Sequence, residues 1–150
     1  MYNIKKLSND GRKTPYKLFF DGGSAPTNPG PTAGAFVIYD PSSDVDILFK
    51  GGKYIEHSTN NVGEYTGLLT GLEKCVEEGI KNVLIHGDSS LVINQISGKW
   101  KVKCEHLKVL HSECMRLISL LENVGCKWIP RKLNSDADSA SDEIIKEGRK

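Results

Sequence analysis

The stretch YKLFFD, residues 16–21, carries the pattern that decides the fold. Consecutive apolar residues, followed over 22–31 by a run rich in glycine and proline, predict a short buried strand that ends in a turn. The strand closes on Asp21, and a carboxylate at the exit of a buried strand is costly unless it has a partner. We therefore expect Asp21 to belong to a site.

Strand and helix patterns continue from this segment to the C-terminus. The predicted strands are 16–21, 33–40, 46–54, 82–86 and 125–130, and the predicted helices are 61–79, 89–96, 104–122 and 135–147. Short links join the first three strands as antiparallel neighbours, whereas the later strands alternate with helices and need right-handed parallel crossovers. The order βββαβααβα predicts an α/β fold with a mixed five-stranded sheet flanked by helices.

Length and composition are those of one globular domain. The chain has 150 residues, 38% hydrophobic and 26% charged, and a net charge of +1. Charge alone does not hold such a chain on nucleic acid, so a nucleic-acid partner requires a local site. We expect a mobile polar lead-in over 1–15 and a single domain over 16–150.

The sequence contains few targeting or redox signals. No stretch has the apolar length of a membrane span, and the start MYNIKKLSND lacks the apolar core of a signal peptide. We therefore expect an intracellular, cytoplasmic protein. The four cysteines form no C-x-x-C pair, which predicts reduced structural thiols and neither a zinc site nor a redox motif.

Three more acids lie where a strand ends or a helix begins. Each has a structural explanation, because Glu64 has the spacing of a capping box, Asp88 that of a helix N-cap and Asp138 that of an acid in a first helical turn. In the predicted sheet, however, Asp21 and Asp88 stand at neighbouring strand ends, and Glu64 and Asp138 can reach in from helix starts. Four carboxylates in one cleft repel unless cations neutralise them, so the set predicts a divalent-metal site.

The segments that carry these acids resemble, in order, the four motifs of the ribonuclease HI family. They are Phe20-Asp21-Gly22-Gly23-Ser24 with Asn28-Pro29-Gly30, Thr59-Asn60-Asn61-Val62-Gly63-Glu64-Tyr65, Gly87-Asp88-Ser89, and Trp128-Ile129-Pro130-Arg131 with Asn134 and Ala137-Asp138. The match runs from about residue 16 to the C-terminus. The resemblance implies a ribonuclease H-like fold and endonucleolytic cleavage of the RNA strand of RNA–DNA hybrids, with 5′-phosphate and 3′-hydroxyl ends.

The resemblance also implies roles for individual residues. Two Mg²⁺ ions, for which Mn²⁺ can substitute, would share Asp21, with Glu64 and Asp88 completing one coordination shell and Asp138 the other. We expect the hybrid to be bound by a monomer, away from any membrane. Its expected contacts are Asn28, Thr59, Asn60, Asn61, Ser89, Ser90, Trp100, Lys103 and Arg131.

The chain departs from the better-known family members in three places. Only residues 97–103 separate Ile96 from Cys104, so the basic protrusion of some members is absent. No histidine lies near Asp138, although such a histidine assists turnover in the bacterial and animal enzymes. The family's usual Leu-Ala-Asn after the last acid is replaced by Ala140-Ser141-Asp142. The chain therefore resembles the compact branch of the family.

Two other functions are compatible with these patterns. A nuclease of the same fold could act on DNA, as a resolvase or an exonuclease does, because fold alone does not fix function. A non-catalytic hybrid-binding module is the second alternative, although such a module is expected to lose at least one of the acids. Within the basic stretch 99–103, Trp100 could be a core residue and not a nucleic-acid contact.

Overall fold

The computed structural model describes the backbone of Tyr2–Asn3, and both the backbone and the side chains of residues 14–150. The strands are β1 (Tyr2–Asn3), β2 (Tyr16–Ser24), β3 (Gly30–Tyr39), β4 (Ile47–Ser58), β5 (Asn82–Gly87) and β6 (Asn123–Trp128). The helices are α1 (Asn60–Glu77), α2 (Ser90–Ile96), α3 (Glu105–Ser119) and α4 (Ser135–Gly148), with a 3-10 turn over Arg131–Leu133. The predicted element order is confirmed.

The strands form one mixed sheet in the order β1-β6-β5-β2-β3-β4. Strands β2, β3 and β4 are antiparallel neighbours, and β2, β5 and β6 run parallel. The five predicted strands are present, and β1 adds a short sixth strand antiparallel to β6. The lead-in predicted over 1–15 lies mostly outside the described residues, but its Tyr2–Asn3 portion belongs to the sheet.

The two faces of β2 are buried against different helices because side chains alternate along a strand. Leu18 and Phe20 pack in the main core with Leu68 and Leu72 of α1. Phe19, on the other face, packs with a smaller cluster of Val37, Tyr39 and Ala137, the last of these from α4. The sheet is thus a central layer with α1 on one side and α4 on the other.

Several predicted boundaries are wrong, and two regions show the cause. The glycine-rich run 22–31 is not all turn, because β2 continues to Ser24 and β3 already begins at Gly30. Helix α3 ends at Ser119, not near 122, and β6 begins at Asn123, not at 125. In both places pairing with neighbouring strands overrides local residue preferences.

Close contact between α1 and the sheet explains why β2 tolerates its glycines. A Cβ atom added to Gly22 would lie 2.2 Å from the carbonyl carbon of Gly63, and one added to Gly34 would lie 2.2 Å from the amide nitrogen of Gly67. We call Gly22, Gly34, Gly63 and Gly67 the glycine seam. Because no side chain separates the two backbones there, the start of α1 lies directly on β2 and β3.

The described residues contain neither a disulfide nor a helix that could span a membrane. All four cysteines are free, with Cys75, Cys114 and Cys126 buried and Cys104 exposed. None of the helices described is both long enough and apolar enough to cross a membrane.

Candidate metal centre and nucleic-acid cleft

Strand pairing and the glycine seam bring three acids together. Asp21 lies in β2, and Asp88 directly follows β5, whose last residue Gly87 pairs with Phe20. Glu64 lies in α1, one residue after Gly63 of the seam. Asp21, Glu64 and Asp88 each offer a carboxylate oxygen, and these oxygens lie within 4.8 Å of one another.

Burial and mutual repulsion disfavour three negative charges at this point. Desolvation first, then the charge of Asp88 and a hydrogen bond with Asp138, raise the pKa of Asp21 to about 7. Desolvation, followed by the charges of Asp21 and Asp88, raises the pKa of Glu64 well above its usual value. Desolvation also raises the pKa of Asp88. A bound cation would reverse these shifts, because it favours the ionised carboxylates.

The side chain of Glu64 fits a role as a metal ligand. Its Oε2 atom is buried and has no hydrogen-bond partner among the described residues. Such an orphaned oxygen is costly unless something absent from the protein chain binds it. Hard divalent cations take carboxylate oxygens, so the donor set of Asp21, Glu64 and Asp88 suits Mg²⁺ or a similar ion.

The structural explanations for Glu64 and Asp88 are wrong. Thr59 is the N-cap of α1, which makes Glu64 the fifth residue of the helix and leaves it outside any capping box. Ser89, not Asp88, caps α2, with its hydroxyl accepting from the amide of Val92 at 3.2 Å. Neither acid therefore satisfies a helix end.

Asp138 faces the same cleft from α4. Its carboxyl group shares a hydrogen bond with that of Asp21, and its Oδ1 lies 3.9 Å from Nη2 of Arg131. Asp138 also lies in the first turn of α4, as its spacing predicted, so a favourable interaction with the helix dipole accompanies its place in the cleft. Asp142, one turn later, also lines the cleft. Asp136 points elsewhere and accepts a hydrogen bond from the hydroxyl of Tyr39.

Two residues that hold Asp88 in place were not among the predicted site residues. Asn134 is 1% exposed, donates to the carbonyl of Phe20 at 2.9 Å, and lies beside Asp88, whose pKa it acts to lower against the effect of desolvation. Trp128 lines the cleft, and its Nε1 donates to the carbonyl of Asp88 at 3.1 Å. Both belong to the fourth motif, so their position in the sequence was a usable signal.

The loops at one end of the cleft are joined by asparagine side chains. Oδ1 of Asn28 accepts from the amide of Asn60 at 3.0 Å, and Oδ1 of Asn60 accepts from the amide of Ser24 at 2.8 Å. Both side chains are exposed, and with the oxygens engaged, their remaining polar groups are NH₂ donors. Asn60 and Asn61 line the cleft itself.

The other predicted nucleic-acid contacts are divided between the cleft and its surroundings. Ser89 and Arg131 line the cleft. Thr59 caps α1 through its hydroxyl at 3.3 Å from the amide of Val62, and Ser90 is exposed at the start of α2. Trp100 and Lys103 are exposed in the segment between α2 and α3 and are not among the residues lining the cleft. Trp100 is 49% exposed, so the alternative of a core tryptophan is wrong.

Comparisons with known proteins point to one family. A family model described as reverse transcriptase-like matches residues 19–144. The bifunctional protein Rv2228c of Mycobacterium tuberculosis is 36% identical over 125 residues, which cover 83% of this chain and 34% of that protein. Ribonuclease HI of Halobacterium salinarum is 32% identical over 127 residues, which cover 85% of this chain and 62% of that protein. The chain thus spans about a third of the mycobacterial relative and under two thirds of the archaeal one.

Solved structures agree with this match. The structure of LC11-RNase H1 in complex with an RNA/DNA hybrid superimposes with a TM-score of 0.81 at 30% sequence identity. The alignment covers 90% of this chain and 99% of that one. The similarity therefore extends over nearly the whole of both chains.

Proposed function

The chain belongs to the ribonuclease H family, and on that premise we propose that it hydrolyses the RNA strand of RNA–DNA hybrids endonucleolytically. The proposed products carry 5′-phosphate and 3′-hydroxyl ends. The observation that carries the proposal is the cluster of Asp21, Glu64 and Asp88, with its orphaned buried oxygen on Glu64, inside a cleft lined by polar side chains.

The acids would hold divalent metal ions, with Mg²⁺ as the ion and Mn²⁺ as its substitute. Asp21 is the shared ligand in this proposal because it projects from a central strand of the sheet and interacts with each of Glu64, Asp88 and Asp138. When bound, two such ions activate the attacking water and stabilise the leaving 3′-oxygen. The residues themselves supply negative charge at fixed positions, and the amide of Asn134, beside Asp88, would orient its carboxylate.

Selection of the RNA strand would depend on the asparagine donors. Asn28 and Asn60 are fixed by their own oxygens, so their NH₂ groups can donate to 2′-hydroxyls, which distinguish RNA from DNA. Asn61, Ser89 and Ser90 offer further polar groups in the neighbouring loops and helix starts.

The phosphate backbones would be held by Thr59, Trp100, Lys103 and Arg131. Thr59 and the exposed pair Trp100 and Lys103 are proposed contacts to the DNA strand. The side chain of Arg131 is 81% exposed at the mouth of the cleft, beside Asp138, where it can pair with a phosphate. We further propose that residues 16–150 act as one catalytic domain and as a monomer.

Cleavage of three end-labelled duplexes tests the proposal. With Mg²⁺ we expect cutting of the RNA strand in RNA–DNA and little cutting of RNA–RNA or DNA–DNA. Excess chelator should abolish cutting, and Ca²⁺ should support binding without efficient cleavage because its looser coordination misplaces the attacking water. Cleavage of DNA–DNA instead would assign the chain to the DNA nucleases, and robust cleavage in chelator would refute the metal centre.

A further inference from the structure

Trp128 ends strand β6 and lies next to the segment that carries Asp88. It is the last residue of β6 and pairs with Gly87, the last residue of β5. The next amide, that of Ile129, donates to the carbonyl of Gly87 at 2.9 Å and so extends the pairing by one bond. The backbone on both sides of the indole is therefore fixed by the sheet.

The indole then makes a contact that the sheet does not require. Its Nε1 donates to the carbonyl of Asp88 at 3.1 Å, although Trp128 is 50% exposed and water could accept that hydrogen bond. A half-exposed indole held on a particular carbonyl has lost the freedom to turn into solvent. The contact closes a bridge from β6 to the short link between β5 and α2.

That link is where the direction of the Asp88 side chain is decided. It consists of Asp88 and Ser89, between Gly87 of β5 and the first residue of α2. The orientation of the Asp88 carbonyl fixes the ψ angle of this residue, and the side chain of Asn134 lies beside its carboxylate and acts to lower its pKa. An aspartate whose backbone is held in this way loses less conformational freedom when its carboxylate meets Asp21 and Glu64.

We infer that Trp128 is a positioning residue for the metal centre, which it serves by holding the Asp88 carbonyl with its indole N–H. The inference rests on the proposed function, because it takes Asp88 to be a metal ligand. Trp128 itself offers no metal-binding atom, so its effect passes through Asp88. Groups that orient ligands in this way typically account for a 10- to 100-fold difference in metal affinity, and we expect about tenfold for this single neutral hydrogen bond.

Binding of Mn²⁺ alone to the free protein, without nucleic acid, tests the inference. The free ion is counted by electron paramagnetic resonance during a titration. Trp128→Phe keeps an aromatic ring but removes the donor, and we expect its Mn²⁺ dissociation constant to rise about tenfold. Replacement of Trp128 by 3-benzothienylalanine, which has the shape of tryptophan without the N–H, should give the same shift and covers the case in which the phenylalanine variant folds poorly.

Tyr39→Phe is the matched control. It also removes an aromatic donor to an acidic residue, but Asp136 lies outside the cluster, so Mn²⁺ affinity should equal that of the wild type. Saturating Mn²⁺ should return the cleavage rate of the Trp128 variant toward the wild-type rate. Mn²⁺ affinity within twofold of the wild type in both Trp128 variants would overturn the inference. If Asp21→Asn instead binds Mn²⁺ as tightly as the wild type, it is the proposed metal centre that fails.

Discussion

Asn134 donates a hydrogen bond to the carbonyl of Phe20, at 2.9 Å and across 114 positions of sequence. The same amide lies beside the carboxylate of Asp88 and acts to lower its pKa. One buried side chain thus joins the strand of Asp21, the carboxylate of Asp88 and the start of α4. The relative position of three proposed ligands depends on this amide.

We expect Asn134→Ala to lower the free energy of unfolding by about 1 to 3 kcal/mol, because it leaves the buried carbonyl of Phe20 without its partner. Urea denaturation measures the change. Asn94→Ala is the control, since Asn94 also bonds a main-chain carbonyl, that of Ser90, but at an exposed position, and its loss should cost well under 1 kcal/mol. If the free energy of unfolding falls equally in the two variants, the burial of the Asn134 hydrogen bond makes no special contribution to stability.

Asp21→Asn should abolish cleavage and leave the metal-free protein as stable as the wild type or more stable. The reason is that the variant removes one of several carboxylates that repel one another in a desolvated site. Each kcal/mol gained should raise Tm by about 2 to 4 °C in a chain of this size. Thermal unfolding in chelator measures it, and a large fall in Tm would mean that Asp21 is structural.

Asp138 can be separated from its two acidic neighbours by mutation. Asp138→Asn should lower the cleavage rate by orders of magnitude with little change in Tm. Asp142→Asn should lower the rate modestly, because it removes a negative charge from the lining of the cleft. Asp136→Asn should leave the rate near normal, because the Asp136 carboxylate accepts a hydrogen bond from Tyr39 instead. A severe Asp142 variant beside a near-normal Asp138 variant would place the ligand one helical turn later.

The stability of the metal-free protein should fall as pH rises from 6.5 to 8. The folded-state pKa of Asp21 is raised from 3.8 to about 7. Between these values the folded protein binds more protons than the unfolded chain. The stability that comes from this extra proton is lost as pH rises through 7. His86, whose pKa is lowered to about 4, acts in the opposite direction but only below about 6.5.

Urea denaturation in chelator at pH 6.5 and 8 measures this dependence. Asp21→Asn should flatten it, and Mg²⁺ at pH 8 should restore stability to the wild type but much less to the variant. A wild-type curve that rises over this range would contradict the assignment of raised pKa values to the acid cluster.

The approach of Asp21 to Asp88 could be predicted because it follows from strand order alone. Asp21 and Asp88 each directly follow the last residue pair of the parallel strands β2 and β5, Phe20 and Gly87, so the two acids come side by side. Glu64 was also expected there, and the structure confirms its position. The close approach of α1 through the glycine seam, which brings Glu64 in, could not be predicted from the pattern. The roles of these acids as metal ligands remain a prediction for the mutants to test.

Contacts that depend on the orientation of one side chain could not be predicted. The indole of Trp128 could equally have turned to solvent, and no periodicity indicates that its N–H meets the carbonyl of Asp88. The two-residue strand Tyr2–Asn3 is too short to have a pattern. The continuation of β2 through Gly22 and Gly23 resembled a turn because local preference favours turns at glycine, whereas packing against α1 decides otherwise.

At the glycine seam the absence of side chains is as necessary to the site as the carboxylates themselves. A methyl group on Gly67 would lie 2.4 Å from the carbonyl oxygen of Asp21, and one on Gly63 would lie 2.7 Å from the carbonyl oxygen of Ala33. Either methyl would push α1 outward and carry Glu64 away from the other acids. A scan that replaces every residue by alanine should therefore rank these glycines beside the acids in their effect on activity. Protein engineers who transplant only the four carboxylates onto another scaffold would leave out the spacing that makes them a site.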